Sequence, residues 1–113
     1  MKKQMIKKYN DLFKIRQPIK MDILLQSEYN GIIANIMALI SDRYLTPTEM
    51  NVIVDDSNER MDLLNEHLPT DEFILISTEI VINIEEILDD ALELEMFETC
   101  ANIRDFYGRF YRV

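Results

Sequence analysis

The chain has 113 residues, with 12 Lys and Arg against 21 Asp and Glu, two Gly and three Pro. An apolar fraction of 48% and a charged fraction of 29% exclude intrinsic disorder and a membrane-embedded class. So few Gly and Pro leave little material for the frequent turns of an all-β fold. We therefore expect one all-α domain over residues 1–113, a bundle of four to five helices that ends in an antiparallel helical hairpin.

The net charge of −9 is distributed unevenly along the chain. Residues 1–20 carry seven basic residues and one acidic residue (+6), residues 21–100 carry two and 19 (−17), and residues 101–113 carry three and one (+2). We call residues 21–100 the acidic body. Because it repels nucleic acid, we expect a contact with DNA or RNA only through the basic N-terminal segment, residues 1–20. The candidate residues are Lys3, Lys7 and Lys14. Docking of this segment on the chain's own acidic body or on a protein partner is favoured over nucleic acid.

The cysteine content and the hydropathy pattern favour a cytoplasmic protein. A single cysteine, Cys100, permits no intramolecular disulfide, which favours a reducing compartment. Asp11, Lys14 and Arg16 interrupt the region where a signal peptide has its apolar stretch. The longest run without charge, from Tyr29 to Ser41, is shorter than the ~20 residues that a membrane span needs. We therefore expect neither secretion nor membrane insertion.

The first two predicted helices lie before residue 44. Apolar residues at helical spacing predict an amphipathic helix over residues 3–16, the basic helix or arm of segment 1–18, which ends before Pro18. A second apolar stripe predicts a helix from Asp22 to about Arg43. This helix contains three small residues that would let another helix approach closely: Gly31, Ala34 and Ala38.

The sequence Thr46-Pro47-Thr48-Glu49 predicts the start of a third helix. It combines an N-cap hydroxyl, a proline at the first helical position and a glutamate at the third, which together form a capping box. This helix is expected to run to about His67. Its predicted inward-facing residues are Met50, Ile53, Val54, Ser57, Met61 and Leu64.

Residues 73–84 are rich in β-branched side chains and are compatible with a buried strand or a helix. We favour a helix because apolar residues continue at helical spacing, without a turn signal, through about Leu94. Acidic residues at 71 and 72 suit the positive end of its dipole. The length predicts a central helix that is buried on nearly all sides. A last helix is predicted from about Met96 to Tyr111.

Residues 84–110, IEEILDDALELEMFETCANIRDFYGRF, carry the most specific pattern in the chain. Its key positions are Leu88 and Ala91, then Phe97-Glu98, Cys100-Ala101 and Ile103-Arg104-Asp105. This pattern resembles the UVR motif, a helical hairpin found in the excision-repair proteins UvrB and UvrC, in Clp-type ATPases and in their small adaptors. The chain departs from the family at Glu95, where a leucine is usual, and at Cys100, where alanine is commoner. A similar hairpin that is not related to the family remains the alternative.

The resemblance implies that hairpin 84–111 associates with a second, similar hairpin and so acts as an oligomerisation or docking surface. The spacing itself predicts that Phe97, Cys100, Ala101, Arg104 and Gly108 face the first helix of the hairpin, with small residues opposite a large ring. Arg104 would then offer a bidentate fork to a carboxylate of that helix. The candidate carboxylates are Asp89, Asp90 and Glu93. The predicted interaction residues are Phe97, Cys100, Ala101, Arg104, Asp105, Phe106 and Phe110.

We therefore predict a non-enzymatic interaction or adaptor protein, with no cofactor and no catalytic residues, that binds a protein partner or another copy of itself. One alternative is a Mg²⁺-dependent NTP pyrophosphohydrolase of the MazG type. Its carboxylates would be Glu86-x-x-Asp89 together with Asp56-x-x-Glu59-x-x-Asp62. A solvated acidic face explains the same residues more simply. A second alternative is an acidic DNA-mimicking inhibitor or virion-associated component, such as a phage encodes.

Overall fold

The computed structural model describes residues 2–15 and 21–111, with side chains for 2–9 and 21–111. The described residues form five helices and no strand. The helices are α1 Lys2–Ile15, α2 Ile23–Ala38, α3 Pro47–His67, α4 Thr70–Glu93 and α5 Phe97–Arg109. The predicted all-α bundle is therefore confirmed, and the ambiguous residues 73–84 are helical.

Two antiparallel helix pairs organise the bundle. The α2–α3 pair is aligned by side-chain contacts, because Glu28 pairs with Arg60 while Asn35 bonds to Ser57. The α4–α5 pair is the predicted C-terminal hairpin, closed by a hydrogen bond of 2.9 Å from Met96 N to the Ala91 carbonyl. Helices α1 to α5 all contribute to one buried cluster. Its largest fully buried side chains include Tyr9, Ile36, Met61, Ile80, Ile87 and Phe106.

The predicted capping box at the start of α3 is present. The Thr46 hydroxyl accepts a hydrogen bond from Glu49 N (3.2 Å), and the Glu49 carboxylate accepts one from Thr46 N (2.9 Å). Arg43 adds a fork, with its two Nη atoms 2.8 and 2.6 Å from the Glu49 oxygens. These interactions satisfy amide groups that the first helical turn leaves without partners.

The capping box predicts a pH dependence of stability. Hydrogen bonds from Arg43 and from the Thr46 backbone lower the pKa of Glu49 from 4.5 to about 2. Because the folded-state pKa is depressed, this stabilisation is present above pH 4.5 and is lost as the pH falls towards 2. We expect Glu49→Gln to lower Tm at pH 7, and we expect the difference from wild type to vanish near pH 2. Thermal melts followed by circular dichroism between these pH values measure it.

Glu59→Gln is the matched control for this experiment. It removes the same charge from an exposed position of α3 that lies outside the capping box. It should not lower Tm at pH 7. A Tm difference between Glu49→Gln and wild type that stays constant down to pH 2 would contradict the assigned role of the carboxylate.

Gly31 gives α3 close access to the backbone of α2. A Cβ atom at Gly31 would lie 2.4 Å from Cζ of Arg60, so a larger residue here would require the flexible Arg60 side chain to shift. Arg60 Nε also lies 2.8 Å from Asp56. At Gly31 the prediction of close approach is met by a side chain of α3, since the Arg60 guanidinium lies against the α2 backbone. It is wrong for Ala34 and Ala38, which are exposed because they lie opposite the buried stripe of α2.

Two further sequence-based predictions need correction. Helix α2 ends at Ala38 rather than near Arg43, because the amides of Leu39 and Ile40 turn back to the Ile36 and Met37 carbonyls. Helix α4 is not buried on nearly all sides. Its apolar residues Ile74, Leu75 and Ile82 are exposed, since no other described helix covers that face.

Candidate functional site

The predicted interaction residues of α5 divide between two faces of the helix. Cys100, Phe106 and Phe110 are buried in the core, and the Phe106 and Phe110 rings stack with centroids 5.1 Å apart. The expectation that these three residues form an interaction surface is wrong in this fold, since their side chains contact the chain's own core. The exposed members are Phe97, Ala101, Arg104 and Asp105.

We call Phe97, Ala101, Arg104 and Gly108 the outer face of α5. The Phe97 side chain is 59% exposed. A Cβ atom at Gly108 would meet open space, and Ala101 is exposed as well. Because both residues are small, no large side chain covers the helix backbone at the middle and end of this face. Of the five residues predicted to face α4, Cys100 is buried as predicted, whereas these four are exposed, because Cys100 and Ile103 occupy the buried side of α5.

Arg104 extends from the outer face and makes no ion pair with any described carboxylate. The predicted fork to Asp89, Asp90 or Glu93 is therefore wrong. The physical reason is that Arg104 lies on the solvent side of α5. Asp105, its neighbour, pairs with Arg109 one turn later at 3.6 Å.

Two residues that the sequence analysis missed fix the position of α5. Thr99 donates from its hydroxyl to the Ser41 carbonyl (3.0 Å) and accepts from Ser41 N (3.1 Å). Asn102 donates to the carbonyls of Leu39 (3.2 Å) and Arg43 (3.1 Å) and accepts from Leu45 N (3.0 Å). Both side chains are buried. They anchor α5 to the connector between α2 and α3, which we define as residues 39–46.

A sequence signal for this anchor exists. Thr99 and Asn102 lie at i and i+3 on the stripe that continues to the buried Phe106, so they are polar residues on an inward face. Buried polar side chains need hydrogen-bond partners, and the connector carbonyls supply them. The partners lie 57 to 63 residues away in sequence, which is why the spacing alone does not identify them.

The C-terminal end of α5 is held by α3. Asn58 donates to the Arg109 carbonyl (3.1 Å) and accepts from Tyr111 N (2.7 Å). Arg109 also bonds to Asn51 at 2.5 Å. Helix α5 is thus fixed by hydrogen bonds at its middle and its end, and its outer face has a defined orientation.

The basic helix α1 docks on the acidic helix α4. Tyr9 is buried and its hydroxyl donates to Asp90, while Lys8 Nζ lies 2.8 Å from the same carboxylate. Hydrogen bonds from Lys8 and Tyr9 lower the pKa of Asp90. Of the two contacts expected for this segment, residues 2–9 make the one with the chain's own acidic residues, while docking on a protein partner stays a prediction. Lys3 and Lys7 are exposed, and the side chain of Lys14 lies outside the described residues.

The carboxylates suggested for magnesium binding border a shallow cleft between α1 and α4. Glu86 and Asp89 line a cleft of about 200 Å³ with Lys8, Tyr9 and Asp90. Asp56, from the second proposed motif, instead bonds to Arg60 and Asn35. In the part of the chain that the structure describes, no group of three or more His, Cys, Asp or Glu side chains is arranged to hold a metal ion.

Within residues 2–15 and 21–111, no helix combines the length and the apolar character that crossing a bilayer requires. No protein-family model matches the chain, and neither a curated protein nor a solved structure matches it at a significant level. The relation to UVR hairpins therefore stays a prediction.

Proposed function

We propose that this protein is a non-enzymatic interaction module that docks through the outer face of α5 onto a second helical hairpin, either of another copy or of a partner protein. The observation that carries the proposal is the exposure of Phe97, an aromatic ring that is 59% accessible on a helix whose opposite side is hydrogen-bonded to the connector. Exposed aromatic residues are typical anchors of protein interfaces.

The rest of the face supports helix docking. Ala101 and Gly108 leave room for another helix to approach the α5 backbone closely. Arg104 has no carboxylate partner among the described residues and is available to one on the docking helix. Since Thr99 and Asn102 fix the opposite side of α5, little conformational entropy is lost when this face binds.

The proposal is tested with Phe97→Ala and Arg104→Glu in sedimentation experiments that measure the mass of the full chain over a range of concentrations. We expect self-association of the wild type, and we expect both variants to shift the chain to monomer while keeping wild-type helicity. The expected weakening is at least about tenfold in Kd for Arg104→Glu, since it places a carboxylate opposite the carboxylate that Arg104 would pair with.

Val52→Ala and Lys7→Glu are the matched controls, because they truncate an exposed apolar residue and reverse an exposed cation outside the outer face of α5. Both should leave the measured mass unchanged. If Phe97→Ala and Arg104→Glu associate as strongly as the wild type, the outer face of α5 is not the interface. If the wild type stays monomeric, docking onto another copy is ruled out.

A further inference from the structure

A second face of the bundle, on α4, combines exposed apolar side chains with carboxylates that form no ion pair among the described residues. Ile74, Leu75 and Ile82 are 41%, 58% and 47% exposed. Ile82 follows Leu75 by seven residues and Ile74 by eight, which places all three on the side of the helix opposite the buried stripe that includes Ile76, Ile80 and Ile87. A partner that covers these three side chains would gain binding free energy from the burial of their apolar surface.

The same side of α4 continues as an acidic surface. Glu85, Asp89 and Glu93 follow Ile82 at helical spacing and are exposed. Within the described part of the chain, no Lys or Arg forms an ion pair with any of these three carboxylates. We call the apolar residues Ile74, Leu75 and Ile82 together with these carboxylates the outer face of α4.

All charged side chains of α4 are negative, and their concentration near its C-terminus lowers the stability of the isolated helix. The helix has eight carboxylates and no Lys, Arg or His. Four of those carboxylates fall between Glu86 and Glu93, near the C-terminus, where the helix dipole is negative and favours cations. A cationic partner at this end would therefore relieve both the mutual repulsion of the carboxylates and their interaction with the dipole.

Within this chain, a basic helix already contacts the acidic C-terminal part of α4, residues 85–93. Helix α1 is basic and amphipathic, and its Met5, Lys8 and Tyr9 lie beside Asp89, Asp90 and Glu93 of α4. Lys8 of α1 pairs with Asp90. This pair uses one carboxylate near the C-terminal end of α4. Asp89 and Glu93 border the clefts beside α1, and they stay exposed and form no ion pair among the described residues.

We propose that the outer face of α4 binds a basic amphipathic helix of a protein partner. Apolar side chains of that helix would lie over Leu75 and Ile82, and its Lys or Arg residues would pair with Glu85 and Asp89. This surface is separate from the outer face of α5, so the inference does not depend on the function proposed above. Charge complementarity selects the partner, since an acidic or neutral helix would leave the carboxylates of α4 unpaired.

The test uses a synthetic helical peptide with leucines at i, i+3 and i+7 on one face and lysines beside them at one end. Binding to the full chain is followed by fluorescence anisotropy of the labelled peptide. We expect Ile82→Glu or Leu75→Glu to weaken binding at least about tenfold, because a charged side chain replaces an apolar contact. Asp89→Lys should weaken it as well, and added salt should reduce wild-type affinity.

Three controls make the result specific. Val52→Glu adds a carboxylate at an exposed apolar position of α3 and should leave the peptide affinity unchanged. Phe97→Ala should also leave it unchanged, which separates this surface from the outer face of α5. Leu75→Ala removes apolar surface without adding a charge, and alanine has a high helix propensity. It should weaken binding as well, but less than Leu75→Glu.

The proposal is overturned by any of three results. The first is that a peptide with glutamates in place of the lysines binds equally well. The second is that Leu75→Glu and Ile82→Glu bind the peptide as the wild type does. The third is that Leu75→Glu converts a dimer to a monomer in the absence of peptide. The last result would show that a second copy of this chain, rather than a basic helix, covers the outer face of α4.

Discussion

Replacing Asn102 by alanine is expected to lower the free energy of unfolding by about 3 kcal/mol, since it leaves two carbonyls and one amide of the connector without their partners. The Asn102 amide bonds to Leu39 O, Arg43 O and Leu45 N at 3.0 to 3.2 Å, and its side chain is almost fully buried. The better helix propensity of alanine offsets only about 0.5 kcal/mol of this loss.

Urea unfolding monitored by circular dichroism measures this loss. Asn30→Ala is the matched control, because Asn30 is an exposed asparagine of α2 whose bond to Gln26 is solvent-accessible. The control should leave stability unchanged or raise it slightly. A loss below about 1 kcal/mol for Asn102→Ala would mean that water replaces the side chain at the connector, and the anchoring role would be refuted.

The two phenylalanines of α5 are expected to respond in opposite ways. Phe106→Ala should cost about 3 to 5 kcal/mol, because the ring is fully buried and stacks on Phe110. Phe97→Ala should change stability by less than about 0.5 kcal/mol, because exposed positions contribute little to folding. Only Phe97→Ala should reduce association of the folded chain.

This pair of variants is measured by urea unfolding for stability and by sedimentation for association. Phe106→Leu is a second variant that keeps most of the apolar volume and should fold with a smaller loss of stability. Equal stability losses for Phe97→Ala and Phe106→Ala would place Phe97 in the core and contradict the assignment of two faces to α5.

Features encoded over a few residues were predictable. The start of α3 depends on Thr46, Pro47 and Glu49, whose hydrogen bonds join residues three positions apart. The buried stripe of α4 follows from apolar periodicity that continues over 24 residues. The C-terminal hairpin was predictable as well, because two helical patterns separated by a short turn form antiparallel neighbours.

The orientation of α5 was not predictable in the same way. Two helical stripes compete on this helix, one with Phe97, Ala101 and Arg104 and the other with Cys100 and Phe106. Both contain an aromatic residue and a small residue, so periodicity does not decide which stripe faces inward. The spacing predicted that the first stripe, together with Cys100, packs on α4; the structure buries Cys100 and Phe106 and leaves the first stripe exposed.

The sequence by itself therefore determined the helices and their order, and it favoured an acidic surface, on this chain or on a partner, as the contact of the basic first segment. The tertiary structure decided which faces are exposed, namely the outer faces of α5 and α4. The physical reason lies in contacts distant along the chain. Asn102 and Thr99 bond to the connector 57 to 63 residues earlier, and Lys8 pairs with Asp90 across 82 positions. Such pairings depend on the packing of the whole bundle, which no local spacing encodes.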